Sequence, residues 1–350
     1  MKHPALAAKM TFLGPPAKTG DLGVELEIEG DYLPMSVNGW DVHTEGSLRG
    51  RDGRSVTPGE NEVDTPREYV THGVVSINDL PSALSHLCAY LKRGKTVVRL
   101  TPRASTHIHV NMTNDTFQTY LNFICLFTIA EPILLRICGP QRNGNLFCLP
   151  SYESGDLPAY FSKLSGVMSA WPAYDHLRAT WPKRGKYASL NVDPIVNFGS
   201  VEVRSFPNSV DPDEILSWAN ILVKLRGLAR DLDTEGLQHV LDKSYHEPMW
   251  FVSQVFSLNN IFTVCAPTHP TELVYYGAEQ AYELVKQVRS YLDYTPNASN
   301  TRTGMKKKTG QPFDTAYTTT MGFAQAPMPF SAEPEPWPTF NPVEDEEEEI

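Results

Sequence analysis

The chain has 350 residues, 41% of them hydrophobic, which is enough for one large or two modest folded domains. Its net charge is −11, but eight acids without a base lie within 333–349, so the rest of the chain is close to neutral. This distribution excludes a nucleic-acid partner bound through a basic patch.

Cysteine usage and apolar runs bear on the compartment. The five cysteines form no CxxC pair, which is typical of a reduced cytoplasmic protein with structural thiols. Residues 1–16 lack the apolar core of a signal peptide. The longest apolar run, 123–130, is too short to cross a bilayer. We therefore expect a cytoplasmic protein without a membrane partner.

The predicted elements are taken in chain order. Strand patterns lie at 23–30, 40–44, 68–75, 97–100, 107–112, 187–192 and 200–206, and helix patterns at 79–92, 115–138, 211–232 and 277–293. Strands do not alternate singly with helices, so a doubly wound parallel sheet is not expected. The pattern favours an α+β fold, with an antiparallel or mixed sheet and helices packed on one face.

The first strand, GVELEIEG at 23–30, has an unusual polar face. Glu25, Glu27 and Glu29 alternate with three aliphatic residues, so the carboxylates share one side. Glutamate is a poor strand former. Two interpretations are open at this point: a solvated edge strand, or a carboxylate-lined cavity that binds a hard cation such as Mg²⁺.

Three later stretches repeat this arrangement of polar side chains on a strand. THIHVN contains His107 and His109, SVEVRSF contains Glu202 and Arg204, and REYVTHGVV contains Glu68. Each stretch alone is also typical of a structural histidine or of a surface charge. Their joint occurrence favours one shared site, because few other strands of the chain carry charge.

Together, these residues indicate a site for a nucleoside triphosphate. Carboxylates at Glu25, Glu27, Glu68 and Glu202, with His107 or His109, would hold two or three divalent cations that neutralise a polyphosphate. Arg204 and Arg142 would take the remaining phosphate charge. Neither GxxxxGK[ST] nor GxGxxG occurs, so the site would lack a P-loop.

The order of short motifs resembles one known family. GVELEIE, WDVHTEGSL, EYVTHGVV, THIHVN, QRNGNLFC, KYASLNVD, SVEVRSF and DEILSWANIL follow one another as in the amidoligases. These are carboxylate–amine ligases of glutamine-synthetase-like fold, which guanidino kinases share. The resemblance covers about 20–232. Members are frequent in bacteria and in bacteriophages. If this chain is phage-encoded, we expect it in the host cytoplasm.

The resemblance implies a role for each residue of the site. It implies metal ligands at Glu25, Glu27, Glu68, His109 and Glu202. It implies nucleotide contacts at Arg204, His107, Asn145, Tyr187 and Asn191, and catalytic roles for Glu202, Arg204 and Arg142. One departure is Glu45-Gly46-Ser47, where the family has Asp-Gly-Ser.

The implied reaction is amide bond formation with ATP and Mg²⁺ as cofactors. A substrate carboxylate takes the γ-phosphoryl group, and an amine then displaces phosphate from the acyl phosphate. The alternatives are a phosphotransferase of guanidino-kinase type and a non-catalytic structural or binding protein. The carboxylate and amine substrates, which range from amino acids to peptides, are left open.

The domain boundaries follow from composition and from the extent of the resemblance. We expect an N-terminal extension at 1–20, a catalytic core at 21–232, a helical or irregular extension at 233–295, and a disordered acidic tail at 296–350 that could contact a protein partner. We also expect raised pKa values for the apposed carboxylates without metal. Glu29 is expected to face solvent at the strand end.

Overall fold

An antiparallel sheet lies at the centre of the computed structural model, which describes residues 17–50, 53, 62–140, 142, 145, 148–165, 188–256 and 261–292. Within these residues the strands are β1 (Leu22–Asp31), β2 (Trp40–Thr44), β3 (Arg67–Thr71), β4 (Val97–Arg99), β5 (Ser105–Asn111), β6 (Leu190–Asn191) and β7 (Ser200–Pro207). The strand order is β2-β3-β1-β5-β7-β6, and β4 pairs with the far end of β1. All strand pairs are antiparallel, as one of the two predicted arrangements requires.

The described helices lie between the strands and after the last of them. They are α1 (Leu80–Leu91), α2 (Phe117–Ile137), α3 (Asp156–Ser165), α4 (Pro194–Asn197), α5 (Pro212–Asp231), α6 (Thr234–His246), α7 (Pro248–Val255), α8 (Ile261–Cys265) and α9 (Pro270–Leu292). A short 3₁₀ helix covers Glu62–Asp64. The start of α5 is the one that the sequence predicts, because the Asp211 carboxylate accepts the Asp213 N–H and Pro212 occupies the first turn.

One face of the sheet is apolar and fully buried. Val24, Leu26 and Ile28 of β1 are 0% exposed, as are Ile108 of β5 and Val203 of β7. Helices α2 and α5 pack over this face and against each other. Helices therefore cover one side of the sheet, and the opposite, polar side is left for the charged residues of the strands.

Helix α2 is the central helix of the core. Among the described residues it is the one helix long and apolar enough to cross a membrane, and 78% of its most apolar window is buried inside the protein. Thr116 caps its start by accepting the Thr119 N–H, at 3.1 Å. The burial shows that its apolar character serves packing in this fold.

The extension after α5, expected at 233–295 to be helical or irregular, contains helices among its described residues. Helices α6, α7 and α8 occupy that segment, and α9 begins seven residues earlier than the predicted helix. Prolines at 248, 267 and 270 divide the segment into short helices, which conceals their period in the sequence. Helix α9 packs closely on α2, because a Cβ at Gly277 would lie only 2.6 Å from the Ile129 carbonyl oxygen.

Residues 17–20 lie against the end of β5, where Asn111 Nδ2 donates to the carbonyls of Lys18 and Gly20. The predicted acidic tail at 296–350 lies outside the described residues, and so does Tyr187.

Candidate functional site

Strand register brings the predicted polar residues onto one face of the sheet. Glu27 lies directly opposite Glu68, and Glu25 lies opposite His107. His109 lies opposite Glu202 on β7. Residues that face each other in an antiparallel pair project from the same side of the sheet. Strands β3, β1, β5 and β7 therefore contribute to one group, here called the open cluster: Glu25, Glu27, Glu68, His107, His109, Glu202 and Arg204.

Glu25 lies between the two histidines. Its Oε1 is 2.9 Å from His109 Nε2, and its Oε2 is 3.3 Å from His107 Nδ1. Burial works against the charged carboxylate, but the two histidine rings outweigh it and hold the pKa of Glu25 well below its usual range. Glu25 is therefore ionised at neutral pH and can bind a cation.

Glu202 has a partner on both carboxylate oxygens and is only 4% exposed. Asn191 Nδ2 donates to its Oε2 at 2.7 Å. Its Oε1 contacts Arg204 Nη1 and lies 3.2 Å from His107 Nδ1. Burial opposes the charged form, but His107, His109 and Arg204 together lower the pKa of Glu202.

Glu27 is held by a serine that the sequence analysis did not single out. The main-chain N–H and the hydroxyl of Ser105 donate to Glu27 Oε2, at 3.0 and 2.6 Å. Ser105 Oγ also lies 2.7 Å from His107 Nε2. A chain of hydrogen bonds thus links β1 to β5 and fixes one oxygen of Glu27. The only signal in the sequence was its position two residues before His107, on the same strand face.

Glu68 differs from the other carboxylates of the open cluster. Burial raises its pKa to about 7, and the charges of Glu25, Glu45 and Glu27 add to the rise. The expectation of raised pKa values among apposed carboxylates therefore holds for Glu68 and is wrong for Glu25 and Glu202. The physical reason is that His107 and His109 lower the pKa of Glu25, and the same histidines with Arg204 lower the pKa of Glu202.

Glu29 does not face solvent, which corrects another expectation. It is 5% exposed, and its Oε1 accepts the Arg49 N–H at 2.9 Å. The Arg49 guanidinium in turn donates to three carbonyls of its own loop, those of Gly46, Ser47 and Leu48. Glu29 therefore anchors the loop that contains Glu45. A substitution at Glu29 would disturb that loop, so it cannot serve as a control for the site.

Arg142 and Asn145 lie in a different setting. The guanidinium of Arg142 is buried and donates to the carbonyls of Ser205, Pro102 and Arg204, at 3.1, 3.4 and 2.7 Å. Asn145 Nδ2 donates to the same Pro102 carbonyl at 3.0 Å. The structure thus gives Arg142 main-chain partners, two of them on β7, and its role as a phosphate ligand stays a prediction.

Three residues of the open cluster could hold a divalent cation. One donor atom each from Glu25, His109 and Glu202 lies within 4.8 Å of the other two. Nε2 of His109 is fully buried and lies 2.9 Å from Glu25 Oε1, and its other ring nitrogen contacts Ser200 Oγ at 3.2 Å. Two carboxylates and one imidazole suit Mg²⁺ or Mn²⁺.

Arg204 supplies a cationic group beside these donors. Its Nη1 contacts Glu202, while its Nε is buried without a hydrogen-bond partner in the described part of the chain. A buried N–H of this kind is costly unless a ligand satisfies it. The site therefore combines cation ligands with an adjacent donor for an anion.

Comparisons with known proteins give no family assignment. No family model matches the sequence, and no curated protein matches it. Among solved structures, a bifunctional glutathione synthetase from Pasteurella multocida matches with a TM-score of 0.32 and 12% identity, over 77% of this chain and 53% of that one. The chain thus spans about half the length of that protein. A likeness of this degree carries no argument about function, and nothing in these comparisons supports a bacteriophage origin.

Proposed function

We propose that this chain is an ATP- and Mg²⁺-dependent ligase that joins a carboxylate to an amine. The observation that carries the proposal is the adjacency of Glu25, His109 and Glu202 to Arg204 on one buried strand face. Cation ligands next to a guanidinium form a site for a metal-bound polyphosphate. This support comes from the geometry of the chain itself.

The buried residues of the open cluster would each have a separate task. Glu25, Glu202 and His109 would hold Mg²⁺, which when bound neutralises phosphate charge and polarises the γ-phosphoryl group. Arg204 would donate to a phosphate oxygen through its unpartnered Nε. Ser105 would keep Glu27 in place, leaving Glu27 Oε1 to face a cation. Because this face is largely buried, these charges would act with little screening by water.

The step from nucleotide binding to ligation rests on the resemblance of residues 20–232 to the amidoligases and their glutamine-synthetase-like fold. In the proposed reaction, a substrate carboxylate oxygen attacks the γ-phosphorus, and ADP leaves. An amine nitrogen then attacks the acyl carbon, phosphate leaves, and the amine loses a proton. The chain would position both substrates and exclude water from the acyl phosphate.

The substrates fall into broad classes under this proposal. The donor is a small-molecule or peptide carboxylate, and the acceptor is a primary amine. The acidic tail at 296–350 is a candidate contact for a protein partner, since it carries a run of acids that repel one another.

The first test is binding. Mg²⁺ with a non-hydrolysable ATP analogue should raise the melting temperature of the parent by mass action, and neither component alone should do so to the same extent. Glu202→Gln should lose this rise. Glu272→Gln, an exposed glutamate on α9, is the matched control and should keep it. A parent whose melting temperature does not respond to either component would contradict the proposed site.

The second test separates ligase from phosphotransferase. Phosphate release from ATP is measured with panels of carboxylates and amines, alone and in pairs. A ligase should release phosphate in proportion to amide, and only when both substrates are present. Transfer of phosphate to a guanidino compound without a carboxylate would favour the kinase-like alternative. Nucleotide binding without turnover on any pair would favour a binding protein.

A further inference from the structure

Strand β7 contains a bulge at the site. In its pairing with β5, Ile108 lies opposite Val203, whereas Thr106 lies opposite Phe206. Two residues of β7, Arg204 and Ser205, therefore face the single residue of β5 between those pairs. A bulge of this kind is a common way to redirect side chains near a functional site.

The bulge changes which face the later residues of β7 occupy. Without the bulge, strict alternation would place Phe206 on the polar face with Glu202 and Arg204. Instead, Phe206 lies in the core, where its ring stacks on Trp218 of α5 with centroids 4.7 Å apart. The bulge thus lets β7 present Arg204 to the site and still anchor its end in the apolar layer.

A single guanidinium binds the carbonyls of both bulged residues. Arg142 Nη2 donates to the Arg204 carbonyl at 2.7 Å, and Arg142 Nε donates to the Ser205 carbonyl at 3.1 Å. A bulge disrupts the regular ladder, and buried carbonyls without a partner are costly. The planar fork of arginine can reach two adjacent carbonyls at once, which the point-like ammonium of lysine cannot do.

Burial and a contact with the Cys148 thiol hold Arg142 itself in place. It is 1% exposed, and no ion pair between it and a carboxylate is found in the described ranges. The thiol of Cys148 donates to the Arg142 carbonyl at 3.2 Å, and burial raises the pKa of this thiol, so it stays protonated as a donor. A buried guanidinium with carbonyl partners is best explained by the backbone geometry that it maintains.

We propose that Arg142 is a positioning residue, which clamps the β7 bulge and thereby keeps Arg204 beside Glu202. It would act on the nucleotide only through Arg204, without contacting the ligand. This inference rests on the proposed function for the identity of that ligand, the phosphate of Mg·ATP. The bulge and its carbonyl contacts are independent of that function.

Arg142→Lys is the primary variant, because it keeps the charge but not the fork. Without ligand, amide hydrogen exchange at 203–206 should become faster than in the parent, while exchange in β1 and β3 should not change. Mn²⁺ alone should bind within about twofold of the parent, since its ligands are untouched, whereas binding of the ATP analogue should weaken about tenfold. Unchanged amide exchange at 203–206 in a folded variant would overturn the clamp.

A double-mutant cycle separates positioning from direct contact. If Arg142 acts through Arg204, then adding Arg142→Lys to an Arg204→Gln protein should weaken analogue binding by less than about twofold further. If the two losses multiply instead, Arg142 contacts the ligand and the inference is wrong. If the parent binds no Mg·ATP analogue, the proposed function fails, and hydrogen exchange alone then decides the clamp.

A measurement on the unmodified protein covers the case in which Arg142→Lys does not fold. The Nε–H signal of Arg142 in NMR should be protected from exchange and should not shift when the ATP analogue is added to the protein in Mg²⁺. The Nε–H signal of Arg204 should shift on addition of the analogue. Equal shifts of both signals would show direct contact and would overturn the inference.

Discussion

Two buried ionic clusters of this chain differ in how their charges are balanced. In the first, the closed cluster, Asp115 accepts from Arg226 Nε and Arg230 Nε, and Arg226 also lies 3.6 Å from Asp21. Two carboxylates face two guanidinium groups, so the charges cancel. The open cluster has more carboxylates than cationic groups, and Nε of Arg204 has no hydrogen-bond partner among the described residues.

The difference is the one expected between a structural cluster and the proposed ligand site. The closed cluster ties Asp21, just before β1, and Asp115, two residues before α2, to α5, and its groups satisfy one another. The open cluster leaves its surplus charge and its donors to be satisfied from outside the chain. Each prediction below tests whether this distinction, balanced against unbalanced, governs stability and binding.

The largest expected effect is the removal of a guanidinium from the closed cluster. Arg226→Met should lower the free energy of unfolding by about 3–5 kcal/mol, since it leaves Asp115 buried with one partner fewer. Urea unfolding measures this. Arg230→Met is the control, and it should cost much less because the Arg230 side chain is 43% exposed. Equal and small losses in both variants would mean that the closed cluster does not support the fold.

A third kind of environment for a buried carboxylate sharpens the comparison. Here hydrogen bonds satisfy the carboxylate, and no ion pair to it is found in the described ranges. Glu131 of α2 accepts from Ser151 N, Ser151 Oγ and Ser189 Oγ. Burial raises its pKa to about 7, against these hydrogen bonds and with a smaller contribution from the charge of Glu153. Glu131 is therefore half neutral near pH 7.

The pH dependence of stability should reveal this group. The folded-state pKa of Glu131 lies above the ordinary 4.5. The contribution of Glu131 to the free energy of unfolding is therefore fully present below pH 4.5 and is lost as pH rises through 7. Glu131→Gln removes that loss. The stability of the variant relative to the parent should thus increase from pH 5 to 7.5, by on the order of 3 kcal/mol, and then level off. A relative stability that does not change with pH would show that Glu131 keeps its charge in the fold.

Much of the fold was predictable because its signals are local. The alternation in 23–30 and 200–206 shows two strands with one apolar face, and Asp211 with Pro212 marks the start of α5. Helices α6 to α8 were missed because prolines break their period. The parts that failed depend on short elements, for which local patterns are weak.

The site was predictable in its composition and not in its contacts. Glu25, Glu202 and His109 share strand faces that the sequence shows, so their grouping could be expected. The pairing of Glu27 with Glu68 depends on register, which the sequence does not reveal. Arg142 lies in the QRNGNLFC stretch, where the sequence predicts a phosphate ligand. Only the bulge of β7 shows which groups it binds.

The most direct test of the open cluster is Glu68→Gln, whose effect on stability should be smaller than that of Glu131→Gln because Glu68 is only partly buried. Burial and the charges of Glu25, Glu45 and Glu27 raise the pKa of Glu68 to about 7, so ionised Glu68 lowers stability as pH rises from 4.5 through 7. Without metal, Glu68→Gln should therefore melt no lower than the parent at pH 8 and at the same temperature at pH 5. Glu202→Gln should melt lower at both, because the lowered pKa of Glu202 marks it as a stabilising anion.

Binding should reverse the ranking for Glu68. With Mg²⁺ and the ATP analogue, the parent should gain stability by mass action, and Glu68→Gln should gain less, because a cation ligand has been replaced by a neutral amide. Differential scanning fluorimetry at pH 8, with and without ligand, measures both quantities in one experiment. A Glu68→Gln protein that melts below the metal-free parent and keeps the full gain from ligand would place Glu68 with the closed cluster, as a structural group.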